Sequence, residues 1–329
     1  MQHSVWAVVK WLLFFLVSLV SGTLNKTVAM APSVLTTLES WIDYHVTHTD
    51  SRILFGMVLF GRWANVAECY FHYFYKHFKI SLAVAFGGTV APSHIAKVHG
   101  IHLNCVFAAC ADVAIGTRTR VEQKAEDSRF HMRLSLLRAM ADTSNVTFAI
   151  VDADTVWVAV EQTFLEWLHT HDLVGQADLR LTKHSGGKAF KVLNNGILGG
   201  NLQRVGAKYI FRRFEELWLQ THDWEQVITE KVYAAASGKK WPRDYPVDND
   251  TYLQEHHIPM QVKLTPMQKY RYNMVCQAAQ GKARKKKLPQ HTAMAHFILS
   301  SPNVKKQCVV DSLKLIGRAK TAVCINRLW

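Results

Sequence analysis

From Arg52 onward, apolar runs of strand length alternate with longer stretches whose apolar residues recur at helical spacing. Residues 53–60 read as a buried strand, 80–86 as a second one stopped by Gly87 and Gly88, and 102–108 as a third. Between them, 65–77 reads as a helix carrying Tyr70, Phe71, Phe74 and Tyr75. The stretch 121–141 reads as a long helix with Phe130, Leu134, Leu137 and Met140 at core spacing. A further strand follows, running from Thr147 to Val151 and arriving at Asp152 and Asp154. This rhythm predicts an α/β fold: one Rossmann-like domain over 51–329 with a mixed, mostly parallel central sheet. No internal repeat and no linker divides that span.

The end of the aspartate strand is where chemistry is expected, because open α/β sheets bind ligands at the carboxyl ends of their strands. Two carboxylates at i and i+2 share a face of the strand and can converge on one hard cation. A divalent ion there would neutralise a diphosphate. By spacing alone, Asp152-Ala153-Asp154 is also consistent with a solvated turn after a core strand.

The amino terminus bears on the compartment. Residues 5–22 are apolar apart from Lys10, Ser18 and Ser21, and as a helix they would span about 27 Å, close to the bilayer core. They read as a signal-anchor (1–22), with a cleaved signal peptide ending near Val20-Ser21-Gly22 as the alternative. Residues 23–50 read as a stem. Either way the remainder is expected in the secretory lumen, as a single-pass type II protein of the Golgi or endoplasmic reticulum, or secreted if cleaved. Sequons at Asn25, Asn145 and Asn249 fit that placement, the last two expected close to the site. The six cysteines form no Cys-x-x-Cys, which argues against a zinc or thioredoxin-type motif, and their pairing is not legible. The net charge of +14 invites anionic partners such as phosphorylated substrates. The run from Lys282 to Lys287 lacks the aromatic alternation of a base-stacking surface, so nucleic acid is not expected.

Several segments in order around Asp152 resemble a known family. The region 52–329 is similar to GT-A fold glycosyltransferases of the nucleotide-diphospho-sugar transferase group, which includes the glycogenin-like enzymes. The resemblance makes Asp152-Ala153-Asp154 the family's metal motif and places Arg133, on the preceding helix, against the nucleotide-sugar. Asn194-Asn195-Gly196 resembles the strand segment beside the donor sugar, although by itself Asn-Asn-Gly is a hairpin signal. Pro246-Val247-Asp248-Asn249-Asp250 resembles the segment beneath the anomeric carbon, with Asn249 where glutamine is common. The stretch 264–273 resembles one that frames the acceptor. His296 matches the carboxyl-terminal metal histidine, with His291 as rival, and Lys305 or Lys306 the lysine on the diphosphate. The glycine and Lys-Pro-Trp that usually follow this histidine are missing.

The resemblance therefore implies metal ligands Asp152, Asp154 and His296, and donor contacts from Arg133, Asp152, Asn194, Gly196 and Lys305. Asp248 and Asn249 would support the reacting carbon. Manganese, or another divalent ion such as magnesium, is the implied cofactor. A UDP- or GDP-sugar is the implied donor and a glycan or glycoprotein the acceptor, with retention of configuration. Two other readings fit the same residues. The aspartates also fit a haloacid-dehalogenase-type phosphatase, although that motif normally opens its domain. The fold could also bind sugar or nucleotide without turnover.

Overall fold

The computed structural model describes residues 37–103, 126–180, 190–239, 260–267, 269–271, 291–297 and 301–329. These lie in the second of two compact units, Met1–Ser33 and Val34–Trp329. Among the described residues no helix is long and apolar enough to cross a membrane, and the apolar amino-terminal segment lies outside them.

The first element is helix α1 (Leu38–Thr47). Thr37 and Ser40 form a capping box, the Ser40 amide donating to Thr37 Oγ1 at 3.1 Å. Its apolar face buries Leu38, Trp41 and Ile42. Part of the span expected as a stem is thus packed into the domain, because an amphipathic helix has a face to bury.

Strand β1 (Leu54–Phe60), helices α2 (Arg62–Asn65) and α3 (Ala67–Phe78), strand β2 (Ala83–Gly87), helix α4 (Pro92–Lys97) and strand β3 (Ile101–His102) follow. Then come helix α5 (Glu126–Thr143), strands β4 (Thr147–Val151) and β5 (Thr155–Trp157), helix α6 (Gln162–Thr170), and strands β6 (Leu173–Arg180) and β7 (Phe190–Asn201). Helices α7 (Val205–Thr221) and α8 (Glu225–Ser237) and strands β8 (Val262–Leu264), β9 (Tyr270–Arg271) and β10 (Met294–His296) precede the closing helices α9 (Pro302–Leu315) and α10 (Ala319–Leu328).

The main sheet has the order β3-β2-β1-β4-β7-β6-β8. Its pairs are parallel except those made by β7, which runs against both β4 and β6. The expected mixed, mostly parallel sheet is therefore present. Strands β2 and β4 are buried along their whole length and β1 along most of it, which is why these three read as continuous apolar runs. Alternate residues feed two cores. Phe55, Met57, Val84, Phe86, Ala149 and Val151 face a cluster with α3, α6, α9 and α10. Leu54, Ala83, Ala85, Phe148 and Ile150 face another with α1, α5, α7 and α8. A disulfide between Cys69 and Cys324 ties α3 to α10, and Cys308 is disulfide-bonded as well.

A smaller sheet, β5-β10-β9, sits against the end of β4. Antiparallel pairing places His296 opposite Thr155, one residue past Asp154. A chain separation of about 140 residues is closed by three ladder positions.

Candidate functional site

Four interactions fix the turn after β4. The Asp152 amide donates to the Gly196 carbonyl at 3.2 Å, and Thr155 Oγ1 donates to the Asp152 carbonyl at 2.6 Å. The Tyr70 hydroxyl donates to the Ala153 carbonyl at 2.5 Å, and the Phe297 amide to that of Asp154 at 3.0 Å. With its backbone so held, the turn aims both carboxylates at His296. The ring Nε2 lies 3.4 Å from Asp152 Oδ2 and 3.2 Å from Asp154 Oδ1. Asp154 is 6% exposed and His296 2%. His291, the rival, is exposed and outside the cluster.

The ligand atoms of Asp152, Asp154 and His296 lie within 4.8 Å of one another. Neighbouring ligands of an octahedral ion of magnesium or manganese size stand about 3 Å apart. Two carboxylates and an imidazole suit such a hard cation. Residues and spacing therefore fit a divalent ion.

Three cationic side chains surround the carboxylates. Lys305 Nζ, in the first turn of α9, is 2.5 Å from Asp154 Oδ2. Arg133 Nη1 donates to Asp152 Oδ1 at 2.6 Å. Burial alone would raise the Asp152 pKa, but Arg133, His296 and Lys305 outweigh it and bring it down to about 2. Burial likewise works against a charged His296, yet Asp154 and Asp152 raise it to about 9.

The wall behind the aspartates is β7, where Asn195, Gly196 and Ile197 form a β-bulge. Across β6, Gly175 pairs with Leu198 but Gln176 with Asn194, so residues 195–197 oppose nothing on that strand. Bulges of this kind re-aim groups next to functional sites. The freed Asn195 carbonyl accepts from Arg133 Nη2 at 2.6 Å, and Asn194 Oδ1 accepts the Gly196 amide at 2.8 Å. The Asn-Asn-Gly signal is thus the interior of a long strand and not a hairpin. Arg133 and Asn194, two of the residues implied as donor contacts, are buried and hydrogen-bonded to protein atoms in the frame around the aspartates.

Two residues of this frame escape sequence reading. Glu225, 2% exposed at the start of α8, stands 3.6 Å from Arg133 Nε. Burial raises its pKa to about 7 against the pull of Arg133. Gln176, fully buried on β6, meets the other ring nitrogen of His296. Only tertiary packing reveals either, of strand on strand for Gln176 and of helix on helix for Glu225. Asp248 and Asn249, implied beside the reacting carbon, lie outside the described residues, as do their sequon and the basic run 282–287. The sequon at Asn145 is described, and it is exposed at the opposite end of β4 from the aspartates instead of beside them. The stretch 264–273 starts at the end of β8, and its Tyr270 pairs with Met294 beside His296.

No family model and no curated protein matches this chain. Among solved structures it is similar to the glycosyltransferase GlyE of Streptococcus pneumoniae TIGR4, at 13% identity over 84% of this chain and 62% of that one, with a TM-score of 0.42. It is also similar to the galactosyltransferase LgtC in complex with donor and acceptor sugar analogues, at 13% identity over 80% of this chain and 95% of that one, TM-score 0.43. The bifunctional glycosyltransferase WbbM gives 10% identity over 82% and 52%, TM-score 0.43. The chain thus spans under two thirds of GlyE and about half of WbbM. At these TM-scores the likenesses carry no functional weight.

Proposed function

We propose that this chain is a metal-dependent glycosyltransferase that moves a sugar from a nucleotide-diphosphate donor to a hydroxyl of a glycan or glycoprotein. The observation that carries this reading is the convergence of Asp152, Asp154 and His296 at the carboxyl end of a central strand, with Lys305 against the same carboxylates. Asp152, Asp154 and His296 would hold the divalent ion, manganese or magnesium. When bound, that ion supplies Lewis acidity to the leaving diphosphate.

The protein's own part is preorganisation. Arg133, buried and fixed by Asp152 and the Asn195 carbonyl, holds the first aspartate in one position. Gly196 keeps the bulge thin where the donor sugar would lie, because it brings no side chain. Among the described residues Lys305 contacts one carboxylate, that of Asp154, from a helix start, and its ammonium would serve phosphate oxygens of the donor. Asp248 and Asn249 remain our assignment for the residues beside the anomeric carbon, with retention as the expected outcome.

The lumenal placement is part of the same proposal. It is supported by the disulfide between Cys69 and Cys324, which an oxidising compartment favours, and by the apolar segment 5–22 as anchor or signal.

The test is donor turnover. The full chain is incubated with a panel of UDP- and GDP-sugars, with manganese or chelator, beside Asp154→Ala. Manganese-dependent release of nucleotide, reduced about 100-fold or more by the substitution, is expected. Chelator-resistant turnover, or phosphate release from simple phosphomonoesters without any nucleotide-sugar, would overturn the reading.

A further inference from the structure

His296 offers two ring nitrogens, and the site needs the lone pair of one of them. A neutral imidazole carries one N–H and one lone pair, so an acceptor at Nδ1 leaves Nε2 free to ligate. Gln176 Oε1 is 2.9 Å from His296 Nδ1, while Nε2 faces Asp152 and Asp154. Gln176 is fully buried on β6, between strand neighbours that are apolar or glycine. Filling a core does not call for an amide there, because a buried amide without its hydrogen bonds is costly.

The surrounding backbone is shaped for this contact. The pairing of β6 with β7 shifts between Gly175 and Gln176, and the residue over the contact is Gly196. A Cβ on Gly196 would lie 2.1 Å from Gln176 Oε1 and 2.3 Å from His296 Nδ1. The bulge, the absent side chain and the buried amide thus converge on one hydrogen bond. The amide is also neutral. A carboxylate at this position would orient the ring equally well but add a third negative charge beside the place expected for a diphosphate.

We infer that Gln176 is a positioning residue of the metal centre, accepting the Nδ1 proton of His296 and so presenting Nε2 to the ion. The inference rests on the metal reading above and adds a residue to it. Outer partners of ligating histidines typically contribute about 10–100-fold to metal affinity.

The experiment is manganese titration of the full chain in the presence of UDP, followed by electron paramagnetic resonance, for wild type, Gln176→Leu and Gln176→Glu. Gln176→Leu should weaken manganese about 10–100-fold, and Gln176→Glu should restore it to within about threefold of wild type. Equal affinity in wild type and Gln176→Leu, or equal loss in Leu and Glu, would assign Gln176 to packing alone and overturn the inference, leaving the metal site intact. Wild type that binds no manganese would remove both. Nitrogen-15 spectra of the histidines in wild type loaded with magnesium and UDP need no variant. A proton on Nδ1 of His296 is expected, and a bare Nδ1 would overturn the inference.

Discussion

Gly196 and Glu225 show how narrowly single residues are constrained around the aspartates. Gly196→Ala forces a methyl group into the contact between Gln176 and His296, so one of the two must move. Overpacking of this kind typically costs about 1–3 kcal/mol. The variant should melt at lower temperature and lose manganese binding more severely than it loses stability. Equal manganese affinity in Gly196→Ala and wild type would show that the close approach is irrelevant to the ligand. Glu225 gives a pH signature. Its pKa is raised to about 7 in the folded protein from 4.5, so the folded state holds the extra proton between those values. Its contribution is therefore present below about pH 4.5 and is lost as pH rises to about 7, on the order of 3 kcal/mol across the window. Buried His45 runs the other way, its pKa lowered to about 3, so that its contribution is lost as pH falls below 6.5. The two overlap, and the difference between wild type and Glu225→Gln isolates the first. The variant should gain on wild type from pH 4.5 to 7, and parallel stability curves would refute the assignment. At this scale the aspartates and His296 were legible, because each ends or closes a short apolar run. Gln176 and Glu225 were not, because a lone polar residue inside a strand or a helical first turn has no pattern until its tertiary neighbour is known.

The elements that carry chemistry are the irregular ones. The bulge in β7 frees the Asn195 carbonyl for Arg133, and three-residue β10 delivers His296 to the aspartates. Strands with a full apolar run, such as β1 and β4, were readable from periodicity. A sheet of two- and three-residue strands has no period to read, and the Asn-Asn-Gly signal pointed to a turn because its strand context is tertiary. Helix α9 presents Lys305, and α10, which packs on it, is tied to α3 by Cys69–Cys324. The bond closes a loop across a sequence separation of 255 residues. Replacing both cysteines with serine should cost roughly 2–5 kcal/mol, lowering Tm by several degrees in a thermal melt. An unchanged Tm would mean that packing alone holds the closing helices.

At the scale of the whole molecule, the alternation of strands and helices gave the fold class from sequence, but not where the domain begins. Helix α1 buries Trp41 completely and hydrogen-bonds inward, with His45 Nδ1 at 2.8 Å from Ser81 Oγ. Burying a large apolar side chain contributes about 1.5–3 kcal/mol. A chain begun at residue 34 should therefore keep the melting temperature of the full chain, whereas one begun at residue 51 should lose several degrees or aggregate. Equal melting of the two would return 38–47 to a stem. The central claim is that Asp152, Asp154 and His296 would hold a divalent ion, and it is tested most directly by calorimetric titration of manganese into the full chain with UDP present, beside Asp154→Asn and His291→Ala. One manganese per chain, weakened at least about 10-fold by Asp154→Asn and untouched by His291→Ala, is the expected result. Manganese binding that ignores Asp154, or no binding at all, would contradict it.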